Sequence, residues 1–114
     1  MRAFTEAIQM QLCYGNVPYT YYMAWEYFEK SWPEMKKEIG FGQLPVLIVD
    51  NQTTIWQSGS IMRYTAKLAN TLPASDEDRA IADAIFESSQ ELFQPLNATI
   101  NFKTGEEYLS LIHI

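Results

Sequence analysis

Gln57-Ser58 stands where a strand-like stretch hands over to a helical one, and that position can hold an anion. A hydroxyl at a helix start lies among first-turn amides that lack intrahelical partners, at the positive end of the helix dipole. Ser58 is therefore a candidate carboxylate site with the Gln57 amide beside it, although a serine there also serves as a plain N-cap. Trp32 and Lys36 are four residues apart, which on a helical turn puts an indole N–H and an ammonium on one face. A half-buried tryptophan beside a solvated lysine is the plainer account of the same pair. Leu44-Pro45 taken alone is an ordinary strand start.

The remaining reactive side chains are few. Cys13 is the only cysteine and His113 the only histidine, so neither an internal disulfide nor a Cys/His metal site is expected. A redox thiol needs a helix N-terminus to lower its pKa, whereas Cys13 falls near the far end of a helical pattern, where packing is the expected role. His113 is isolated near the terminus.

These residues must be carried by elements that the pattern supplies. Phe4, Ala7, Ile8 and Leu12 recur at helical spacing to Tyr14, and Gly15-Asn16 with Pro18 beyond marks the stop. Tyr19 to Met23 is rich in aromatics that suit a strand. Ser31-Trp32-Pro33-Glu34 combines a capping serine, a proline tolerated in the first turn and a glutamate at capping-box spacing. Pro45 to Val49, Asp50-Asn51 and Thr53 to Trp56 read as a β-hairpin. Ser58-Gly59 opens a helix with Ile61, Met62, Thr65, Ala66 and Leu68 inward, closed by Asn70. Ser75 with Asp78 starts another, expected to run to about Leu96 with Pro95 disturbing its end. Asn101 to Gly105 reads as a loop, followed by an apolar tail from Leu109 to Ile114.

The chain of 114 residues is 47% apolar and 19% charged, which suits one folded domain with an appendage. Its net charge of −6 opposes nonspecific binding to nucleic acid or an acidic membrane surface. No run approaches the length of a membrane span, and Glu6, Gln9 and Gln11 break the apolar core a signal peptide would need. A cytoplasmic location is the expectation.

Phe41-Gly42-Gln43-Leu44-Pro45-Val46-Leu47 followed by Gln57-Ser58-Gly59-Ser60-Ile61-Met62-Arg63-Tyr64, with Ser31-Trp32-Pro33-Glu34-Met35-Lys36 before them, closely resembles the paired motifs of cytosolic glutathione transferases. The resemblance is greatest to the sigma class, with mu, alpha and pi as relatives, and extends from about Arg2 to about Leu96. It implies an α/β fold: a thioredoxin-like glutathione-binding domain over 1–72, lacking its first strand, then the truncated start of an all-helical domain over 73–114. The family's detoxifying role implies glutathione and an electrophilic small molecule as partners, glutathione as substrate rather than cofactor, no metal, and a homodimer for the full-length member.

By the same resemblance, Trp32 and Lys36 hold the glycine carboxylate of glutathione, with Gln43 as a further polar contact. The Leu44 backbone pairs with the cysteinyl moiety beside a cis Pro45, and Gln57 and Ser58 hold the γ-glutamyl end. Glu91 falls where relatives place an acidic residue that reaches the partner subunit's ligand. The family's activating tyrosine stands on a strand preceding the position of Arg2, and none of the seven tyrosines here can be given that role. The expectation is thus a conjugating enzyme at the level of the full-length protein, or one that isomerises a prostanoid-like compound. The alternative is a noncatalytic binding or interaction module derived from a transferase. A missing central strand would leave Tyr19 to Met23 detached, re-paired or exposed as an edge.

Overall fold

The computed structural model describes residues 3–104 and 110–114. In chain order it contains α1 (Ala3–Tyr14), β1 (Thr20–Met23), α2 (Ala24–Phe28), α3 (Trp32–Glu38), a 3₁₀ turn (Gly40–Gly42), β2 (Val46–Val49), β3 (Thr53–Trp56), α4 (Ser58–Leu68), α5 (Asp76–Thr104) and β4 (Ser110–His113).

Alternation along β2 sorts the core. Val46 and Ile48 point to one face of the sheet, where they join Ala24, Met35 and Ile39 of the α2–α3 layer. Leu47 points to the other, where it meets Ile8 and Leu12 of α1, Ile61 of α4 and Ile112 of β4. A strand covered on both faces must be apolar throughout, which is why Val46-Leu47-Ile48-Val49 reads as an unbroken run. α1 and α4 are joined by a polar chain: the Thr65 hydroxyl donates to Gln11 Oε1 at 2.6 Å, and Gln11 Nε2 donates to Thr71 Oγ1 at 3.0 Å.

The sheet has four strands in the order β1-β4-β2-β3. β4 lies in the centre, antiparallel to β1 with Tyr21 opposite Ile112, and parallel to β2 with Leu47 opposite Ile112. Ile114 extends the ladder, donating its amide to Ile48 O at 2.9 Å and accepting from the Asp50 amide at 3.0 Å. The expectation for Tyr19 to Met23 resolves as re-pairing: the partner is the apolar tail, which the sequence reading left without a role.

Helix ends follow local chemistry. At α1 the left-handed residue is Asn16, with φ 52°, while the Val17 amide reaches back to Leu12 O at 2.9 Å. Gly15 has a different duty, since a Cβ there would stand 2.4 Å from Ala69 Cα, so its missing side chain lets the α1 end meet the α4 end. The capping box at α3 is present as expected, Glu34 Oε2 accepting from the Ser31 amide at 3.2 Å and from its hydroxyl at 2.7 Å. Ser75 Oγ caps α5 by accepting from the Asp78 amide at 3.1 Å.

Three expectations are corrected. Leu68, expected on the inward face of α4, is exposed. α5 does not stop near Leu96 but continues to Thr104, with Pro95 inside it, and residues 101–104 are helical rather than a loop. A proline costs a helix one hydrogen bond and a clash with the preceding turn, yet a long helix can continue beyond it. Gly105 and Leu109, at the ends of the expected loop and tail, lie outside the described residues.

Gly15→Ala is expected to lower the free energy of unfolding by about 1 to 3 kcal/mol, because backbone atoms of Ala69 cannot move aside as a flexible side chain would. Urea denaturation checks it. Hydrogen bonds from Ser31 hold the Glu34 carboxyl below its ordinary range, so its contribution is present at neutral pH and lost as pH falls through the folded pKa. NMR should show the Ser31 amide shift titrating in acid, and Glu34→Gln should abolish that step.

Candidate functional site

The segment joining α3 to β2 brings most of the expected residues to one place. α3 begins at Trp32, whose half-buried side chain packs on the Met35, Ile39 and Val46 cluster, as Leu44 does. Lys36, one turn on, is exposed, and its stem lies over Gly42, whose added Cβ would stand 3.2 Å from Lys36 Cγ. Gly42 has φ 56°, a conformation that glycine adopts without steric cost, so it both turns the chain and makes room for the lysine stem. Gln43 follows directly, then the Leu44–Pro45 peptide, which is cis, then β2.

From the other side of the hairpin, Gln57 arrives between β3 and α4 with φ 68° and ψ 123°. That is a left-handed conformation for a residue with a side chain, and it is held by what surrounds it. Its carbonyl accepts from the Ile61 amide at 3.0 Å, the first bond of α4, while its Nε2 donates to Gln43 Oε1 at 3.3 Å. Gln57, not Ser58, is thus the N-cap position. Ser58 occupies the first helical position, half-buried, where its amide and those of Gly59 and Ser60 belong to the first turn.

Ser58 also has a neighbour that the sequence reading missed. Its hydroxyl donates to Gln90 Oε1 of α5 at 3.4 Å, long for an O–H···O bond and easily exchanged for a stronger acceptor. A signal was available: Asp83, Phe86, Glu87 and Gln90 recur at helical spacing, and that face meets α4. Arg63 anchors the contact, with its Nε 2.7 Å from Asp83 Oδ1, a further ion pair to Glu87, and its guanidinium 5.9 Å from the Phe86 ring centre. Hydrogen bonds to the two carboxylates, Asp83 first, raise the Arg63 pKa. Gly59 permits the approach, since a Cβ there would stand 3.0 Å from Arg63 Nη1.

The structure therefore links Lys36, Gly42, Gln43, Gln57 and Ser58 in sequence through contacts, and sets Trp32 and Leu44 on one apolar cluster. Glu91 is exposed on α5. Cys13 is exposed near the C-terminal end of α1, with Sγ 3.6 Å from the Tyr19 hydroxyl. His113 stands in the sheet, its ring centre 6.5 Å from that of Tyr27. A cavity of about 220 Å³ lies elsewhere, between α1, α4 and α5 and lined by Gln11, Met62, Ala66, Leu72 and Phe86. Among the described residues no cluster of three or more metal-ligating side chains occurs, and no helix is long and apolar enough to cross a membrane.

Comparison with known proteins locates this arrangement. The family model for the glutathione S-transferase N-terminal domain matches residues 1–67. The chain is 28% identical over 114 residues to glutathione S-transferase 4 of Caenorhabditis elegans, covering 97% of this chain and 53% of that protein. It is 30% identical over 78 residues to glutathione S-transferase 1 of Ascaris suum, covering 68% of this chain and 37% of that protein. Over 58 residues it is 39% identical to hematopoietic prostaglandin D synthase of Gallus gallus, covering 51% of this chain and 29% of that protein. The chain thus spans about half the length, or less, of these relatives. No solved structure gives a significant match.

Gln57→Gly should keep or raise the midpoint of thermal unfolding, by the order of 1 kcal/mol of released backbone strain, although it deletes the hydrogen bond to Gln43. Gln57→Val, which cannot accept the conformation, should lower the midpoint.

Proposed function

The chain belongs to the glutathione S-transferase N-terminal domain family, and on that premise we propose that it binds glutathione along the line Trp32, Lys36, Gln43, Leu44, Pro45, Gln57 and Ser58. The observation that carries the reading is the continuous polar path from Gln43 through Gln57 to Ser58 at the start of α4, directly beside the cis Leu44–Pro45 peptide. Three kinds of group answer three parts of a tripeptide. The first-turn amides and hydroxyl at Ser58, aided by Gln57, suit the γ-glutamyl carboxylate. The Leu44 backbone suits pairing with the extended cysteinyl residue. Lys36, with Trp32 and Gln43, suits the glycine carboxylate.

In the full-length protein the same site would present the glutathione thiol to an electrophilic small molecule. The chemistry requires a hydrogen-bond donor that stabilises the thiolate and so lowers the thiol pKa. A cytoplasmic, sigma-like, dimeric detoxifying transferase is the form that this reading takes, with a glutathione-binding domain over 1–72 and the start of a helical domain over 73–114. A second reading, a noncatalytic binding module, is favoured by one observation: the centre of the sheet is built by Ser110–His113, outside the residues that match the family.

Titration calorimetry of the 114-residue chain with glutathione separates binding from its absence. Ser58→Ala should weaken binding by about 1 to 3 kcal/mol through loss of a hydrogen bond to a charged group. Lys36→Met should weaken it as well, while Lys37→Met, on a neighbouring exposed position, should not. Equal affinity in Ser58→Ala and the unaltered chain would overturn the assignment of the carboxylate site.

A further inference from the structure

Val46 and Ile48 of β2 stand opposite Trp56 and Thr54 of β3, and residues opposed across an antiparallel pair project to the same face of the sheet. Val46 and Ile48 are buried beneath the α2–α3 layer, whereas Trp56 on the outer strand is 36% exposed. The helical layer thus stops short of β3. A partly open cavity of about 110 Å³ remains between these strand residues, Phe28 at the end of α2, and Glu38 and Ile39 where α3 ends.

The composition of this cavity is selective. Its walls are aliphatic apart from the rings of Phe28 and Trp56, the Thr54 side chain and the Glu38 carboxylate. The indole is held in position: a Cβ added at Gly40 would stand 2.6 Å from Trp56 Cε2, so the ring lies against bare backbone. Phe41 meets it edge-on, with ring centres 6.1 Å apart, and Tyr27 meets Phe28 in the same manner at 5.1 Å.

The volume is well below the roughly 300 to 1,000 Å³ that holds a drug-sized molecule, so the cavity suits a compact head group. An apolar head would draw on the rings and leave the carboxylate unused, and an anion would be repelled by Glu38 and by the net charge of −6. A primary ammonium needs acceptors for its N–H groups that aliphatic walls do not offer. A quaternary ammonium has no N–H to satisfy: its methyl groups pack on the aliphatic walls, and its charge is drawn to the aromatic rings and the carboxylate.

We propose that this cavity binds the quaternary ammonium head of a small organic cation of the choline type, held by Phe28 and Trp56 with Glu38 as its counter-charge. The site shares no residue with the proposed glutathione line and does not depend on that reading. Lys30 sets the affinity. Its ammonium lies 2.7 and 2.9 Å from the two Glu38 oxygens, with the side chains 45% and 55% exposed. An exposed pair of this kind is weak, so the ligand competes with Lys30 for one carboxylate. Removing Lys30 therefore acts in the opposite sense to removing Glu38.

The test is an NMR titration of the 114-residue chain with choline and, in parallel, with the uncharged alcohol in which carbon replaces the choline nitrogen. Choline is expected to shift the Thr54 amide and the Trp56 indole N–H, identified by its loss in Trp56→Phe, in a saturable manner. The neutral alcohol should bind about threefold more weakly or worse. Glu38→Gln should weaken choline binding about two- to fivefold, and Lys30→Met should strengthen it by a similar factor. Both side chains are exposed, so neither change threatens the fold. Absence of a saturable shift at these resonances, or equal binding of choline and the alcohol, overturns the proposal. So does a choline affinity that either substitution leaves unchanged or moves the other way.

Discussion

Both edges of β2 must be hydrogen-bonded while both of its faces are buried, and the rest of the molecule is arranged around that demand. β3 satisfies one edge through a tight hairpin, at little entropic cost because the chain between them is short. The other edge has no local partner and is satisfied by β4, from the far end of the sequence. Only with that strand in place does Leu47 find Ile112 beside it and do α1 and α4 close over a continuous apolar layer. The α2–α3 layer closes over Val46 and Ile48 in the same way, and carries Trp32 and Lys36 to the position they occupy.

The candidate site inherits its precision from this frame. Gln43, Leu44 and Pro45 sit immediately before β2, and Gln57 and Ser58 immediately after β3. Since β2 and β3 are adjacent and antiparallel, with Val46 opposite Trp56, the residues before one and after the other must meet. The hairpin thus turns two motifs, separate in sequence, into one surface. The left-handed conformation of Gln57 aims the start of α4 at that surface, and the Arg63 contact with Asp83 and Glu87 fixes the helix behind it.

The donors of the candidate site suit an anion although the chain as a whole is acidic, with a net charge of −6. Local donors decide the matter: first-turn amides and a lysine ammonium act over a few ångströms, while the distributed negative charge is screened beyond about 8 to 10 Å at ordinary ionic strength. The long Ser58–Gln90 bond belongs to the same logic, since a carboxylate oxygen offers the hydroxyl a better acceptor than an amide does.

What the sequence determined by itself was whatever depends on near neighbours. The α1, α3 and α4 helices, the capping box at Ser31 and Glu34 and the β2–β3 hairpin follow from periodicity and cap chemistry, and the candidate site residues around Gln43 and Ser58 are marked by motifs whose spacing is visible in the linear chain. Tertiary structure decided what depends on distant partners. The aliphatic tail carries no instruction about where it goes, and four residues of strand are stable only where two open edges and a buried pocket for Ile112 already exist. The reach of α5 past Pro95 is likewise a matter of the whole helix, because one lost hydrogen bond is small against the turns on either side. Gln90 gained its place beside Ser58 only when α5 was packed on α4: the helical spacing of Asp83, Phe86, Glu87 and Gln90 marks a face of α5, but not the residue 32 positions away that it meets.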